Sequence, residues 1–187
     1  MTEGINQKHI FITGGARSGK SKYAEDLAGE LGGKVIYLAT AQALDIEMKE
    51  RIRKHRQRRP ENWTTVEEPL DVTRVIAECQ RGTTVLLDCL TLYLSNLFFK
   101  YEFLSVDCQE QTINNHIIEL ADIVKQSNAN IIIVSNELGW GVVPENNLAR
   151  RFRDLAGMAN QTIAAICDEV YFLISGLPVR VKGGCDV

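Results

Sequence analysis

Gly14, Gly15, Ala16, Arg17, Ser18, Gly19, Lys20 and Ser21 satisfy every fixed position of the phosphate-binding pattern G-x-x-x-x-G-K-[ST]. In such a loop the glycines let backbone N–H groups close on an anion. The lysine reaches the β- and γ-phosphates, and the final hydroxyl ligates Mg²⁺. The same letters also occur in glycine-rich turns that bind nothing, so the flanking elements decide. Ile10-Phe11-Ile12 ahead of the loop has strand character, and Ala24, Leu27, Ala28 and Leu31 behind it are spaced three and four apart, as on one helix face. Strand, loop and helix in that order bring the positive end of a helix dipole to the anion. The expected ligand is a nucleoside triphosphate with Mg²⁺.

A second run, Thr84–Asp88, is apolar and closes on an acid. Asp88 at a strand end is placed to hold Mg²⁺, directly or through water, opposite Ser21. The plainer reading is a cap for the helix that follows. Ser135-Asn136-Glu137 closes another apolar run in the same way, with turn formation as its plainer reading.

From Lys49 to Arg59 the chain carries seven Lys or Arg residues, with His55 among them and Pro60 closing the run. A solvated helix face is the ordinary meaning of such a run. A nucleic-acid surface is disfavoured, because no aromatic residue interleaves to stack bases and the net charge is −3. The remaining reading is a polyphosphate site, where guanidinium groups stabilise charge on a transferring phosphoryl group. There, His55 has a task of its own. Surrounding cations bias its ring toward the neutral form, which is a nucleophile able to form a covalent intermediate. Attack on an α-phosphorus would leave a phosphoramidate-linked nucleotide and release pyrophosphate.

The elements that must position these groups alternate along the chain. Strands are predicted at His9–Thr13, Val35–Ala39, Thr84–Asp88, Asn130–Ser135 and Glu169–Ile174. Helices are predicted near Ser21–Leu31, Ile46–Gln57, Asp71–Gln80, Leu90–Lys100, Thr112–Gln126 and Glu145–Ile166. Ile10–Ile12, Val85–Leu87 and Ile131–Val134 are continuous apolar runs, as expected of parallel strands covered on both faces. Gly176-Leu177-Pro178 reads as a turn into a short last strand, Val179–Lys182. The polar stretch Glu102–Gln109 is expected to be a surface loop. Length, 45% hydrophobic content and the absence of any linker or repeat suit one α/β domain over residues 1–187, with ligands at the carboxyl ends of the strands. No apolar run approaches the roughly 20 residues needed to span a bilayer. Five cysteines without C-x-x-C spacing argue against disulfides or zinc, for a reducing cytoplasm, and for mostly buried packing roles.

Taken together, the motifs resemble those of the adenosylcobinamide kinase/adenosylcobinamide-phosphate guanylyltransferase family. Thr13–Ser21 is similar to its phosphate loop, Ala39-Thr40-Ala41 follows the second strand as in that family, and Arg51-Ile52, His55, Arg56 and Arg59-Pro60 resemble its R-I-x-x-H-[RK]-x-x-R-P signature. Asn136–Gly139, Gly141, Val143–Asn146, Arg150, Phe152–Asp154, Gly157, Asn160-Gln161 and Ala164 fit its long later motif, as do Asp168–Val170 and Ser175–Pro178. The resemblance runs from about residue 9 to 182. It implies a P-loop NTPase-like, RecA-like fold: a mostly parallel sheet flanked by helices, with a short C-terminal hairpin. It also implies two steps of cobalamin biosynthesis. A nucleoside triphosphate, ATP or GTP, phosphorylates adenosylcobinamide with Mg²⁺. GTP then guanylylates an enzyme histidine, and the GMP moves to adenosylcobinamide phosphate.

The family nucleophile falls on His55, with Lys20 the other catalytic residue. The resemblance carries nucleotide contacts onto Gly14–Ser21, Ala39, Thr40, Ala41, Arg56, Gln57, Arg58, Arg59, Glu67 and Asp88, and the metal onto Ser21 and Asp88. It further implies a homotrimer. His9 and His116 are expected to be structural or solvated. Trp140 departs from the family, where a smaller residue such as Met or Leu is expected. Two rivals remain: a P-loop small-molecule kinase without nucleotidyl transfer, and a GTP-regulated RNA-binding module contacting RNA through Lys49–Arg59.

Overall fold

The structure, a computed structural model, describes residues 7–43, 45–57 and 59–184, apart from the side chains of Glu47 and Arg51. Its elements run β1 (His9–Gly14), α1 (Lys20–Leu31), β2 (Lys34–Ala39), α2 (Ile46–Gln57), β3 (Thr64–Glu67), α3 (Val72–Ala77) and β4 (Thr83–Asp88). They continue with α4 (Leu90–Lys100), α5 (Val106–Gln126), β5 (Asn130–Val134), α6 (Asn147–Ile166), β6 (Glu169–Ile174) and β7 (Leu177–Lys182). The strands form one sheet in the order β3-β2-β4-β5-β1-β6-β7. All neighbours are parallel except β6 and β7, which close the sheet as an antiparallel hairpin.

The continuous apolar runs occupy the middle of this sheet, where helices cover both faces. Successive residues alternate sides: Phe11, Ile131, Ile133, Val85 and Leu87 face one core with α3 to α6, whereas Ile10, Ile12, Ile132, Val134 and Leu86 face the other with Ala24 and Ala28 of α1. On α5 the predicted stripe Ile113, Ile117, Leu120, Ala121 and Val124 is buried throughout. β5 lies between the phosphate-loop strand β1 and β4, which ends on Asp88. The mostly parallel sheet flanked by helices and the C-terminal hairpin are the architecture expected above. No helix among the described residues is long and apolar enough to cross a membrane.

The structure corrects the sequence reading in four places. β3 is an additional strand, a four-residue edge of β-branched Thr64, Thr65 and Val66 paired with β2. The 102–109 stretch is not all loop, because α5 starts at Val106 and its polar first turn is held by buried Gln109, whose Nε2 donates to Phe98 O at 2.7 Å. β7 begins at Leu177, so Leu177 and Pro178 belong to the strand and the reversal falls on Ser175 and Gly176, both with positive φ. Finally, Cys108 is exposed, unlike buried Cys89 and Cys167 and half-buried Cys79; these four are free thiols.

Candidate active site

Gly14 ends β1 where β6 passes so close that a Cβ on it would meet Leu173 O at 2.5 Å, with φ at +150°. Only glycine fits both demands. The loop beyond it is tied down from three sides. Ser18 N donates to Gly15 O at 3.3 Å, Glu137 N donates to Gly14 O at 3.0 Å, and Gly176 N in the hairpin turn donates to Ser18 O at 2.9 Å. Gly19 precedes α1 in the left-handed region, and α1 has neither a side-chain cap nor an acid in its first turn. Its leading amide donors and positive dipole end therefore have no anionic side chain of their own to meet. Lys20 is buried, and its Nζ donates to Gly15 O at 2.6 Å.

The acid side is built by register. β2 and β4 pair Ala39 with Asp88, and β2 and β3 pair Ala39 with Glu67, so three strand ends stand in a row. Asp88 Oδ2 accepts a hydrogen bond from the Tyr37 hydroxyl. Burial, and next the Asp88 carboxylate, push the Tyr37 phenol far up, so it stays protonated and acts as a donor. Thr40 is fully buried behind this row: its Oγ1 donates to Cys89 O and accepts from Cys89 N, both at 2.8 Å. Burial pushes the Cys89 thiol up to about 12, which keeps it inert.

At the end of β5 the polar cluster is partly structural. Fully buried Ser135 is 2.7 Å from Asn160 Oδ1 and 3.2 Å from Thr91 Oγ1, while Asn136 N donates to Thr91 Oγ1 at 2.8 Å. This network fixes Asn136, which reaches the cleft.

The basic run forms α2, whose Met48 N donates to Asp45 Oδ1 at 2.6 Å as a cap. Much of its charge is spent on the surface, with Arg53 Nη2 2.5 Å from Glu50 Oε1 and Lys54 Nζ 3.9 Å from the same oxygen. Such exposed pairs contribute little stability. His55 lies in the last turn, half-buried. Beyond the helix, the Arg59 guanidinium carbon lies 3.3 Å from the Tyr37 ring centroid, and Arg59 Nη1 donates to Thr65 Oγ1 at 3.2 Å.

These elements enclose a cleft of about 1460 Å³ whose lining includes Ala16, Arg17, Ser18, Gly19, Lys20, Ser21, Ala39, Ala41, His55, Gln57, Arg59, Glu67 and Asp88. Most of the sequence-predicted residues thus share one space. Gly14, Gly15, Thr40 and Arg56 are not part of that lining, although Arg56 forms an ion pair at 3.6 Å with Glu67, which is. Arg58 lies outside the described residues. Sequence reasoning missed Tyr37, Asn96 and Leu92. Leu92 lines the cleft, and Asn96 Nδ2 holds Thr40 O at 2.8 Å. None of the three carries a local signal, since each acts through partners far along the chain. Trp140 is exposed and stacks on Phe172 with ring centroids 4.7 Å apart.

Residues 10–181 match the model of a family described as cobinamide kinase / cobinamide phosphate guanyltransferase. The chain is 44% identical over 180 residues to the bifunctional adenosylcobalamin biosynthesis protein CobU of Escherichia coli, covering 92% of this chain and 99% of that protein. It is 46% identical over 174 residues to the bifunctional adenosylcobalamin biosynthesis protein CobP of Pseudomonas aeruginosa, covering 92% and 96%. Among solved structures, a Pyrococcus horikoshii protein from a structural study of project PH0250 matches with a TM-score of 0.54 at 4% identity, over 96% of this chain and 88% of that one, a likeness of fold alone. The chain belongs to the cobinamide kinase / cobinamide phosphate guanyltransferase family.

Proposed function

We propose that this chain carries out both steps in the one cleft. It phosphorylates adenosylcobinamide with ATP or GTP, then takes GMP from GTP onto His55 and passes it to adenosylcobinamide phosphate. The observation that carries this reading is that Lys20 and His55, 35 positions apart in sequence, line the same cleft.

In the first step the amides of Gly15–Ser21 and the Lys20 ammonium hold the phosphates, and the work is positioning and charge stabilisation. Lys20 exchanges its Gly15 carbonyl for phosphate oxygen. Ser21 and Asp88 are hard oxygen donors suited to Mg²⁺. Two protein donors would leave the remaining positions of a bound ion to water and to the triphosphate's own oxygens. Mg²⁺ bound there neutralises charge on the phosphates.

In the second step the His55 imidazole attacks the α-phosphorus, an N–P bond forms, and the bond to the pyrophosphate oxygen breaks. Arg59, and Arg56 once released from Glu67, stabilise the leaving pyrophosphate. The phosphate oxygen of the acceptor then displaces the imidazole and carries away GMP.

The test is mass spectrometry after incubation with GTP and Mg²⁺. A GMP mass on the peptide containing His55 is the expected result. Its absence, with kinase turnover intact, would favour the rival kinase without nucleotidyl transfer. Salt-dependent RNA affinity without corrinoid turnover would favour the RNA-binding reading.

A homo-oligomer, trimeric by the family resemblance, belongs to the same proposal. It is supported by the outer strand β7, where Leu177, Val179 and Val181 are 70%, 47% and 66% exposed. Light scattering would give the subunit number. The described free cysteines support the cytoplasm as its place, and the single seven-stranded sheet supports one nucleotide-binding domain over 1–187.

A further inference from the structure

Tyr37 is 2% exposed yet forms part of the cleft wall, in the strand between β3 and β4. It has two different neighbours. Its hydroxyl donates to Asp88 Oδ2 at the end of β4, and the face of its ring carries the Arg59 guanidinium at 3.3 Å. Arg59 is also pinned to β3 through Thr65, and its buried Nε has no hydrogen-bond partner among the described residues. A buried guanidinium N–H without an acceptor is costly, and in a cleft that takes a triphosphate the natural acceptor is a phosphate oxygen.

We propose that Tyr37 is a positioning residue serving both chemical steps, its hydroxyl orienting Asp88 and its ring seating Arg59. This rests on the roles given above to Asp88 and Arg59. By occupying Oδ2, the hydroxyl turns Asp88 into a one-oxygen donor, with Oδ1 left for the metal side. By carrying the guanidinium on a rigid aromatic face, the ring removes most of the rotamer freedom that an arginine beyond a helix end would otherwise lose on binding. One side chain thereby couples the metal-side acid to the charge at the end of the basic helix.

The two contacts can be separated by substitution. Tyr37→Phe keeps the ring and deletes the hydroxyl, whereas Tyr37→Leu deletes both. Calorimetric binding of guanosine 5′-(α,β-methylene)triphosphate, which His55 cannot cleave at the α-phosphorus, is measured with Mg²⁺ and with chelator. For Tyr37→Phe, affinity in chelator should stay within about twofold of wild type, while the gain from Mg²⁺ falls about tenfold. Tyr37→Leu should show the same metal loss and, in addition, about tenfold weaker binding in chelator. In chelator, Tyr37→Leu and Arg59→Ala combined should be no weaker than the worse single variant.

A wild-type Mg²⁺ gain in Tyr37→Phe would overturn the hydroxyl half, and additive losses in the double variant would overturn the ring half. Asp88→Asn separates the two levels of argument. Loss of the Mg²⁺ gain there, with no loss in Tyr37→Phe, refutes the inference and leaves the role of Asp88 standing. No loss in Asp88→Asn removes that role and the hydroxyl half with it. Thermal melting of each variant without nucleotide checks the fold. Should Tyr37→Leu fail to fold, Tyr37→Phe decides the hydroxyl half. The ring half is then decided by the milder Tyr37→Met, combined with Arg59→Ala in the same double-variant comparison.

Discussion

The two walls of the cleft are built on opposite principles. The phosphate-loop wall grows from the centre of the sheet. Its lysine is buried, its glycine is squeezed against Leu173 O, and its backbone is tied to two other loops. The basic-helix wall is an exposed helix whose ion pairs lie on the surface, joined to the rest through Arg59 on Tyr37 and through Arg56 on Glu67. A cradle for a triphosphate must be preorganised, because its donors act by already being in place. A nucleophile that accepts and then gives up a nucleotide needs room to approach and retreat. On the proposed mechanism, the contrast teaches that the buried, tied-down wall is the one that holds charge, and the exposed wall the one that carries the nucleophile.

Substitutions on each wall should therefore fail differently. His55→Asn is expected to abolish covalent labelling by α-labelled GTP; wild-type labelling would remove His55 from the mechanism. Lys20→Ala should slow the kinase step about 10²- to 10³-fold, the scale of losing one preorganised donor to developing charge. Steady-state phosphorylation near wild type would contradict the assignment. Gly14→Ala attacks the scaffold itself and should cost about 2–4 kcal/mol in chemical denaturation, because neither Leu173 O nor the positive φ can yield cheaply. A loss of activity without a loss of stability would mean that this wall is less rigid than drawn.

The smallest effect concerns the start of β6. Burial alone would raise the Glu169 carboxyl, but hydrogen bonds from Tyr171 and Lys8, with the Lys8 and Arg180 charges, hold it below its ordinary value. A depressed carboxylate stabilises the fold above its unfolded pKa, and the contribution fades as pH falls through the folded value. Glu169→Gln should thus be less stable than wild type by about 1 kcal/mol at neutral pH. The gap should close on acidification below the usual glutamate range, as read from denaturation curves at several pH values.

Sequence legibility followed the same divide. Gly14–Ser21, the strand ending on Asp88 and the stripe of α5 were readable because each is a local pattern with its own physical cause. β3 was not, since four residues, two exposed and two half-buried, become a strand only when β2 offers its edge. Nor was the start of α5, whose polar turn is anchored by Gln109 and Glu110 through Phe98 and Arg151. Tyr37 looked like one more residue of an apolar strand; its meaning lies 51 positions away in Asp88 and 22 away in Arg59. His55 was legible as a chemical type, whereas its sharing a cleft with Lys20 required the fold.

The hydrogen bond from Gly176 to Ser18 has a practical consequence. It makes the hairpin turn a buttress of the phosphate loop, so an enzyme trimmed back past residue 176, or fused there to a bulky partner, should lose nucleotide before it loses its fold. For handling this chain, the turn ahead of the last strand supports the phosphate loop and is a poor place to cut.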